Sequence, residues 1–135
     1  MRLWHKGLIC VLPKQQLVSQ WRECVCIAKN IKEKGMPNHI LVNKIMQYDI
    51  SHFYSYAVLV CSEMKSRGYR CDFERFKKYC DSEVFKSQPF ENWHNKRYLT
   101  QCYYNLQEKY DCCGIKEDEW KKITERVSYL LKVYE

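Results

Sequence analysis

Residues that make tight turns are scarce in this sequence. Only 4 glycines and 3 prolines occur in its 135 residues, and an all-β fold with many short strands needs such residues at most of its turns. No apolar run approaches the roughly 20 residues that a membrane-spanning helix needs. Leu8–Leu12 is too short for the core of a secretory signal. We therefore expect a helical, intracellular protein that makes no membrane contact.

Paired cysteine motifs are also missing, although cysteine itself is common. The nine cysteines include no C-x-x-C pair. Cys24-x-Cys26 and Cys112–Cys113 are spaced poorly for zinc, and the four histidines complete no set of ligands. The odd number of cysteines and the lack of a secretory signal predict a reducing, cytoplasmic compartment. We expect no metal and no organic cofactor, and most cysteines should be small core residues.

Positive charge exceeds negative charge. The chain has 23 lysines and arginines against 16 aspartates and glutamates, for a formal charge of +7. This balance favours an anionic partner, of which DNA and RNA are the common ones. Charge alone is equally compatible with a basic protein that binds no polyanion.

Apolar residues recur at steps of three and four residues, the pattern of a helix with one buried side. In the first such segment the stripe consists of Leu17, Trp21, Cys24, Ile27 or Ala28, and Ile31. Pro13 suits the first turn of this helix, and Gly35 suits its end. Similar patterns predict main helices at 53–67, 95–110 and 116–134, and short helices at 40–48 and 72–79.

Together these elements predict an all-α fold. Hydrophobic residues make up 46% of the chain, and a chain of this length suffices for one core but not for two. Residues 1–12 read as an extended segment before the first helix. We expect one compact domain over residues 1–135, a bundle of three to four main helices with an extended N-terminal segment.

The first predicted helix carries a polar side that lies close in sequence to the start of the chain. Residues 15, 16, 19, 22, 23 and 26 cluster on that side. The stretch Leu12-x-x-Gln15-Gln16-Leu17…Trp21-Arg22-Glu23 resembles the first-helix signature of the phage pyrimidine-dimer DNA glycosylase/AP lyase family, also called endonuclease V. In that signature Gln-His-Leu precedes an aromatic residue, Arg and Glu.

Further segments carry the same resemblance. Met1–Leu3 resembles the start of the mature family enzymes, and Pro37–Leu41 and Glu63–Tyr69 are similar to segments around the family's second helix. The likeness is strongest over residues 1–70. It implies an enzyme that needs no metal or cofactor, acts on damaged double-stranded DNA without an obligatory protein partner, and works as a monomer in the cytoplasm of a bacterium or of the host cell of a phage or virus.

The resemblance also implies roles for particular residues. The α-amine of Met1 would be the nucleophile, and Glu23 would be the catalytic carboxylate. The DNA-contacting residues would be Arg2, Gln15, Gln16, Arg22 and Lys29. Glu23 would stabilise the cationic sugar intermediate and move protons during ring opening and β-elimination.

An α-amine suits this chemistry better than a lysine does. With a pKa of about 7.7–8.0, roughly 10–17% of an α-amine is free base at pH 7, whereas for lysine the fraction is roughly 0.04%. A chain terminus beside a carboxylate can therefore form an imine without special burial. The alternative for the polar side of the first helix is an ordinary solvated face.

Three positions depart from the family pattern. The bulky Arg2 predicts that the initiator methionine is retained, whereas the family removes it to expose a threonine. Gln16 stands where the family has a histidine. Cys26 stands where the family has an arginine, and Lys29, about one turn further along the helix, would supply the lost positive charge. These changes bear on dimer specificity more than on lyase chemistry.

Two other classes of function are compatible with the sequence. One is a non-catalytic nucleic-acid-binding domain, and the other is a helical protein-interaction module. Within the enzyme class, the substrate could be an abasic site or an oxidised base instead of a pyrimidine dimer. His5 could contact DNA or pack against the core, and His52–Tyr56 could stack bases or begin a helix with core aromatics.

Overall fold

The computed structural model describes residues 2–35 and 39–135, and only the backbone of Leu41 and Val42. Across these residues the chain forms helices and no strand, so the predicted all-α class is confirmed. The elements are a 3-10 helix at Lys6–Val11, α1 at Lys14–Lys34, α2 at Ile40–Asn43 with a 3-10 turn at Lys44–Gln47, α3 at Ile50–Ser66, α4 at Phe73–Lys77, α5 at Lys96–Asp111 and α6 at Glu117–Val133.

Local signals set the ends of α1. Pro13 occupies the N-cap position, and Gly35 takes a φ of 79° at the C-cap, where a residue without a Cβ is favoured. The predicted apolar stripe packs against α3 and α4 and is buried from Leu17 to Ala28, whereas Ile31 is half-buried. Met36 and Pro37, predicted to follow this helix, lie outside the described residues, as does the start of the Pro37–Leu41 segment.

The third helix begins earlier than its apolar pattern predicts. Asp49 caps it, accepting hydrogen bonds from the Ser51 backbone N–H at 3.2 Å and from the Ser51 hydroxyl at 2.5 Å. Asp72 stands at the N-cap position of α4, but its side chain makes no capping hydrogen bond. The short helix α4 is held instead by the fully buried Phe76.

The N-terminal segment is part of the core. Residues 2–5 are not helical, but Lys6–Val11 forms a 3-10 helix that the sequence analysis did not predict, and the His5 side chain caps it by accepting from the Gly7 backbone N–H at 3.0 Å. α3 and α6 pack against this 3-10 helix. The buried apolar residues of the segment are Leu3, Trp4, Leu8, Ile9 and Leu12.

The cysteines divide between the core and the surface. Cys24, Cys61, Cys80 and Cys102 are buried, and the half-buried Cys71 packs against the core, so five of the nine lie in the core or against it. Four are exposed, since Cys10 and Cys26 lie on outward-facing helix surfaces and Cys112 and Cys113 lie in the turn after α5. All nine are free thiols.

Within the described residues, no helix combines the length and apolar character needed to cross a membrane. The same part of the chain holds no cluster of His, Cys, Asp or Glu side chains suited to a metal ion.

Candidate active site

A groove runs between the first half of α1 and the turn that joins α5 to α6. Its volume is 560 Å³. From α1 it is lined by Gln15, Gln16, Ser19 and Arg22, and from the other wall by Cys113, Gly114, Lys116 and Glu119. The predicted polar side of α1 therefore faces a concave surface rather than open solvent.

The groove residues of α1 differ in exposure. Gln15 and Arg22 are exposed, whereas Gln16 is half-buried. The Oε1 atom of Gln16 is buried and has no hydrogen-bond partner among the described residues. Buried polar atoms are usually paired, so this unpaired acceptor is an exception in the wall of the groove.

Glu23 lies one turn beyond Ser19 on the same side of α1, outside the lining of the groove. It is half-buried. The backbone N–H of Arg2 donates to Glu23 Oε2 at 3.3 Å. The structure thus brings the second residue of the chain to the predicted catalytic carboxylate, and Met1 itself lies outside the described residues.

The Arg2 side chain turns back towards the core. Its guanidinium lies 5.5 Å from the centre of the Trp4 ring, within the range of a cation–π contact. Burial raises the pKa of Tyr98, and the nearby Arg2 cation lowers it by a smaller amount. Arg2 is half-buried, and in this conformation its guanidinium lies against Trp4 and near Tyr98.

Lys29 lies farther along the same helix side. It follows Arg22 by two turns, about 10 Å along the axis, and it is exposed. It does not line the groove. Cys26, which stands where the family has an arginine, is exposed and accepts from Asn30 Nδ2 at 3.9 Å.

Sequence reasoning missed Gln20. This side chain is 1% exposed. Its Nε2 donates to the Arg2 carbonyl at 2.9 Å, and its Oε1 accepts from the Trp4 backbone N–H at 2.8 Å and from the Tyr56 hydroxyl at 3.1 Å. Periodicity places Gln20 at the edge of the apolar stripe, but it does not reveal which backbone lies against that edge.

Two tyrosines complete the same network. The Tyr56 hydroxyl shares its single proton between the Trp4 carbonyl, the shorter contact at 2.5 Å, and Gln20 Oε1. The Tyr98 hydroxyl donates to the Leu3 carbonyl. Burial raises the pKa of both phenols, so both remain protonated donors at neutral pH.

A second cavity, with a volume of 470 Å³, lies beside the other end of the N-terminal segment. Within it His5 Nε2 bonds to the Tyr134 hydroxyl at 2.7 Å, and that hydroxyl donates to the His94 carbonyl at 2.9 Å. The His94 ring stacks on His5, with 5.3 Å between their centres. His5 and Trp4 are both buried, which agrees with packing rather than DNA contact.

The aromatic run after Asp49 also packs inside. Phe53 and Tyr56 are fully buried. The His52 ring stacks on Phe90 at 5.6 Å, and its Nδ1 accepts from the Phe90 backbone N–H at 2.9 Å. This segment is therefore the start of a helix with core aromatics, not a surface for stacking bases.

Comparison with known proteins decides the family. Residues 1–77 match the family model for pyrimidine dimer DNA glycosylase. The chain belongs to that family. The match covers more than half of the chain and confirms the resemblance drawn from residues 15–23. Searches of curated proteins and of solved structures find no match.

Family membership implies a DNA glycosylase that binds damaged DNA and acts on pyrimidine dimers. The matched residues include α1, Glu23 and Gln20, but they end with α4. One wall of the groove and the Tyr98 hydroxyl come from α5, α6 and the turn between them, all beyond the match.

Proposed function

We propose that this member of the pyrimidine dimer DNA glycosylase family couples base excision to AP lyase activity through an imine on the α-amine of Met1, with Glu23 as the catalytic carboxylate. The observation that supports this most directly is the 3.3 Å contact between the Arg2 backbone nitrogen and Glu23 Oε2. Consecutive Cα atoms are about 3.8 Å apart, so an amine on the residue before Arg2 can reach the same carboxylate.

In the proposed reaction the neutral amine attacks C1′ of the deoxyribose, and the bond from C1′ to the damaged base breaks. The base leaves with its electron pair and takes up a proton. The amine nitrogen gives up one proton on attack, and the bond from C1′ to O4′ then breaks as O4′ takes up a proton, which leaves a protonated imine on C1′. Removal of a C2′ proton then expels the 3′ phosphate, and water releases the enzyme. Glu23 stabilises the cationic intermediates, supplies the proton to O4′ and removes the proton from C2′.

The groove supplies the proposed surface for DNA beside this centre. Arg22 and Lys116 line it and add positive charge, and Gln15 and Gln16 offer amide groups that can hydrogen-bond to bases or phosphates. Arg2 would contact the lesion only once its guanidinium had moved away from the Trp4 ring. Lys29 would contact a phosphate farther along the duplex.

We also propose that residues 78–135 belong to the same domain as the part that matches the family. α5 and α6 reach the N-terminal segment through Tyr98, Tyr134 and Arg126, whose Nε donates to the Gly7 carbonyl at 2.8 Å. The protein would act as a monomer in a reducing cytoplasm.

Borohydride trapping on two DNA duplexes tests the reaction. One duplex carries a single cis-syn thymine dimer and the other an abasic site. We expect a covalent adduct on both, and we expect acetylation of the N-terminal amine to abolish it. An adduct on the abasic duplex alone would support the lyase and reject the dimer as substrate. No adduct on either duplex would reject the imine mechanism.

Replacement of the carboxylate tests the role of Glu23. Glu23→Gln should lower turnover by about 100-fold to 10,000-fold, the range for loss of a general acid–base group, while DNA affinity is kept. Glu33→Gln, on the exposed last turn of the same helix, is the matched control and should behave as wild type. Unchanged turnover in Glu23→Gln would refute the assignment. Mass spectrometry of the protein establishes whether Met1 carries a free amine.

A further inference from the structure

The backbone from Arg2 to Trp4 is held by side chains. Gln20 bonds to the Arg2 carbonyl and to the Trp4 N–H, Tyr98 bonds to the Leu3 carbonyl, and Tyr56 bonds to the Trp4 carbonyl. These residues are not helical, and the described chain has no strand with which they could pair. The conformation of the segment therefore depends on the side chains that surround it.

Gln20 and Glu23 both make hydrogen bonds to the backbone of Arg2. The two lie three positions apart on α1, so their side chains project from one side of the helix. Gln20 Nε2 donates to the Arg2 carbonyl at 2.9 Å, while Glu23 Oε2 accepts from the Arg2 N–H at 3.3 Å. Both polar groups of the Arg2 backbone are thus bound by adjacent turns of one helix.

We infer that Gln20 is a positioning residue for the imine chemistry, because its amide sets the direction in which the chain leaves Arg2 and so the distance from the Met1 amine to Glu23. The inference rests on the proposed function. Gln20 is 1% exposed, so it acts through the Arg2 and Trp4 backbone and does not touch DNA.

The network requires an amide at this position. Gln20 accepts two hydrogen bonds through Oε1 and donates one through Nε2, and a carboxylate has acceptors only. A neutral carboxylic acid restores the pattern, because its hydroxyl can donate to the Arg2 carbonyl. Burial raises the pKa of a carboxyl group by up to about 3–5 units, so such an acid changes its protonation near neutral pH.

In the Gln20→Glu variant, the hydrogen bond to the Arg2 carbonyl should therefore form only when the new carboxyl group is protonated, so the position of the Arg2 backbone should depend on pH. The rate of borohydride trapping on the abasic duplex is measured in single turnover for the variant and for wild type from pH 8 to 5.5, below the unfolding temperature of each protein. Equilibrium affinity for the same duplex is measured in parallel. Gln101→Glu, on an exposed position of α5, is the matched control.

We expect the ratio of variant to wild-type trapping rate to be about 0.01–0.1 at pH 8, since a misplacement of about 1 Å can cost about 100-fold in rate. The ratio should rise towards 1 as the pH falls, even though the wild-type rate itself declines when the amine is protonated. DNA affinity should change by less than about threefold, because the altered side chain is buried.

A ratio that stays constant and well below 1 between pH 8 and 5.5 would overturn the positioning role and leave the proposed function intact, and for a ratio near 1 throughout, the Tyr56→Phe test below decides the role. If the ratio of trapping rates changed with pH in parallel with DNA affinity, the substitution would be acting on binding, and the positioning role would be overturned as well. Failure of wild type to trap would reject the proposed function together with the inference. The Gln101→Glu ratio should remain near 1 throughout.

If Gln20→Glu does not fold, Tyr56→Phe provides the second test. It removes one hydroxyl, which bonds to the Trp4 carbonyl and to Gln20 Oε1, and it keeps the packing of the ring. We expect the trapping rate to fall by about threefold to tenfold, the range for one buried hydrogen bond, with unchanged DNA affinity. An unchanged trapping rate would overturn the inference.

Discussion

Single side chains join the beginning of the chain to its end. His5 accepts from the Gly7 N–H through Nδ1, so its proton resides on Nε2, which donates to the Tyr134 hydroxyl. His94 accepts from the Lys6 N–H at 2.9 Å. Both rings are neutral, because burial lowers the pKa of His5 to about 4 and that of His94 well below its usual value.

These histidines predict an acid-sensitive fold. The pKa of His5 is 6.5 when unfolded and about 4 when folded, so between these values the unfolded chain binds more protons. The contribution of the buried, neutral His5 to the free energy of unfolding is complete above pH 6.5 and is lost as the pH falls towards 4. At pH 5 the loss for His5 is about 2 kcal/mol.

Urea unfolding between pH 7 and 5 checks this expectation. His5→Asn keeps an acceptor that can cap the 3-10 helix and removes the titrating ring, so the pH dependence of its unfolding free energy should be shallower than that of wild type. Equal unfolding free energies of wild type at pH 7 and 5 would contradict the prediction.

At the scale of helices, the capping residues and apolar stripes predicted the four main elements well. α1, α5 and α6 end within a residue of the expected bounds, and Asn95 caps α5 by accepting from the Tyr98 N–H at 3.0 Å. α3 starts three residues early because Asp49 caps it. The 3-10 helix at Lys6–Val11 has no local pattern that predicts it, since its register is set by packing on α3 and α6.

The short helix α4 depends on its aromatic contacts. Its five residues are too few to be stable alone. Phe76 packs against Phe53, Trp21 and Phe73, and its ring centre lies 5.3–6.0 Å from theirs. We expect Phe76→Ala to lower the free energy of unfolding by about 3–5 kcal/mol.

Urea denaturation measures this loss. Phe85→Ala is the matched control, because Phe85 is 53% exposed and its removal should change the free energy by less than about 0.5 kcal/mol. Similar losses for the two variants would show that α4 is not anchored through Phe76.

At the scale of the whole molecule, the second half of the chain holds the N-terminal segment and lines the groove of the candidate site. Tyr98 holds the Leu3 carbonyl, Tyr134 holds His5, and Arg126 holds the Gly7 carbonyl. The turn between α5 and α6 forms one wall of the groove beside Arg22. The residues matched by the family model therefore supply only one wall of this groove.

Truncation after His94 should therefore prevent cooperative folding. It removes α5 and α6, whose fully buried Leu99, Leu106 and Ile123 cover the core. Thermal unfolding followed by circular dichroism should show a sharp transition for residues 1–135 and none for residues 1–94. A sharp transition for the shorter chain would show that the first half folds independently.

The sequence by itself determined the all-α class, most helix bounds and the polar side of α1 that carries Glu23, because periodicity and capping depend on residues close together in the chain. The tertiary structure alone decided that the Arg2 backbone meets Glu23, that Gln20 is buried against the same segment, and that Tyr98 reaches Leu3. Those contacts join residues 18 to 95 positions apart. No local pattern encodes such pairings, since they arise only when the helices pack around the N-terminal segment.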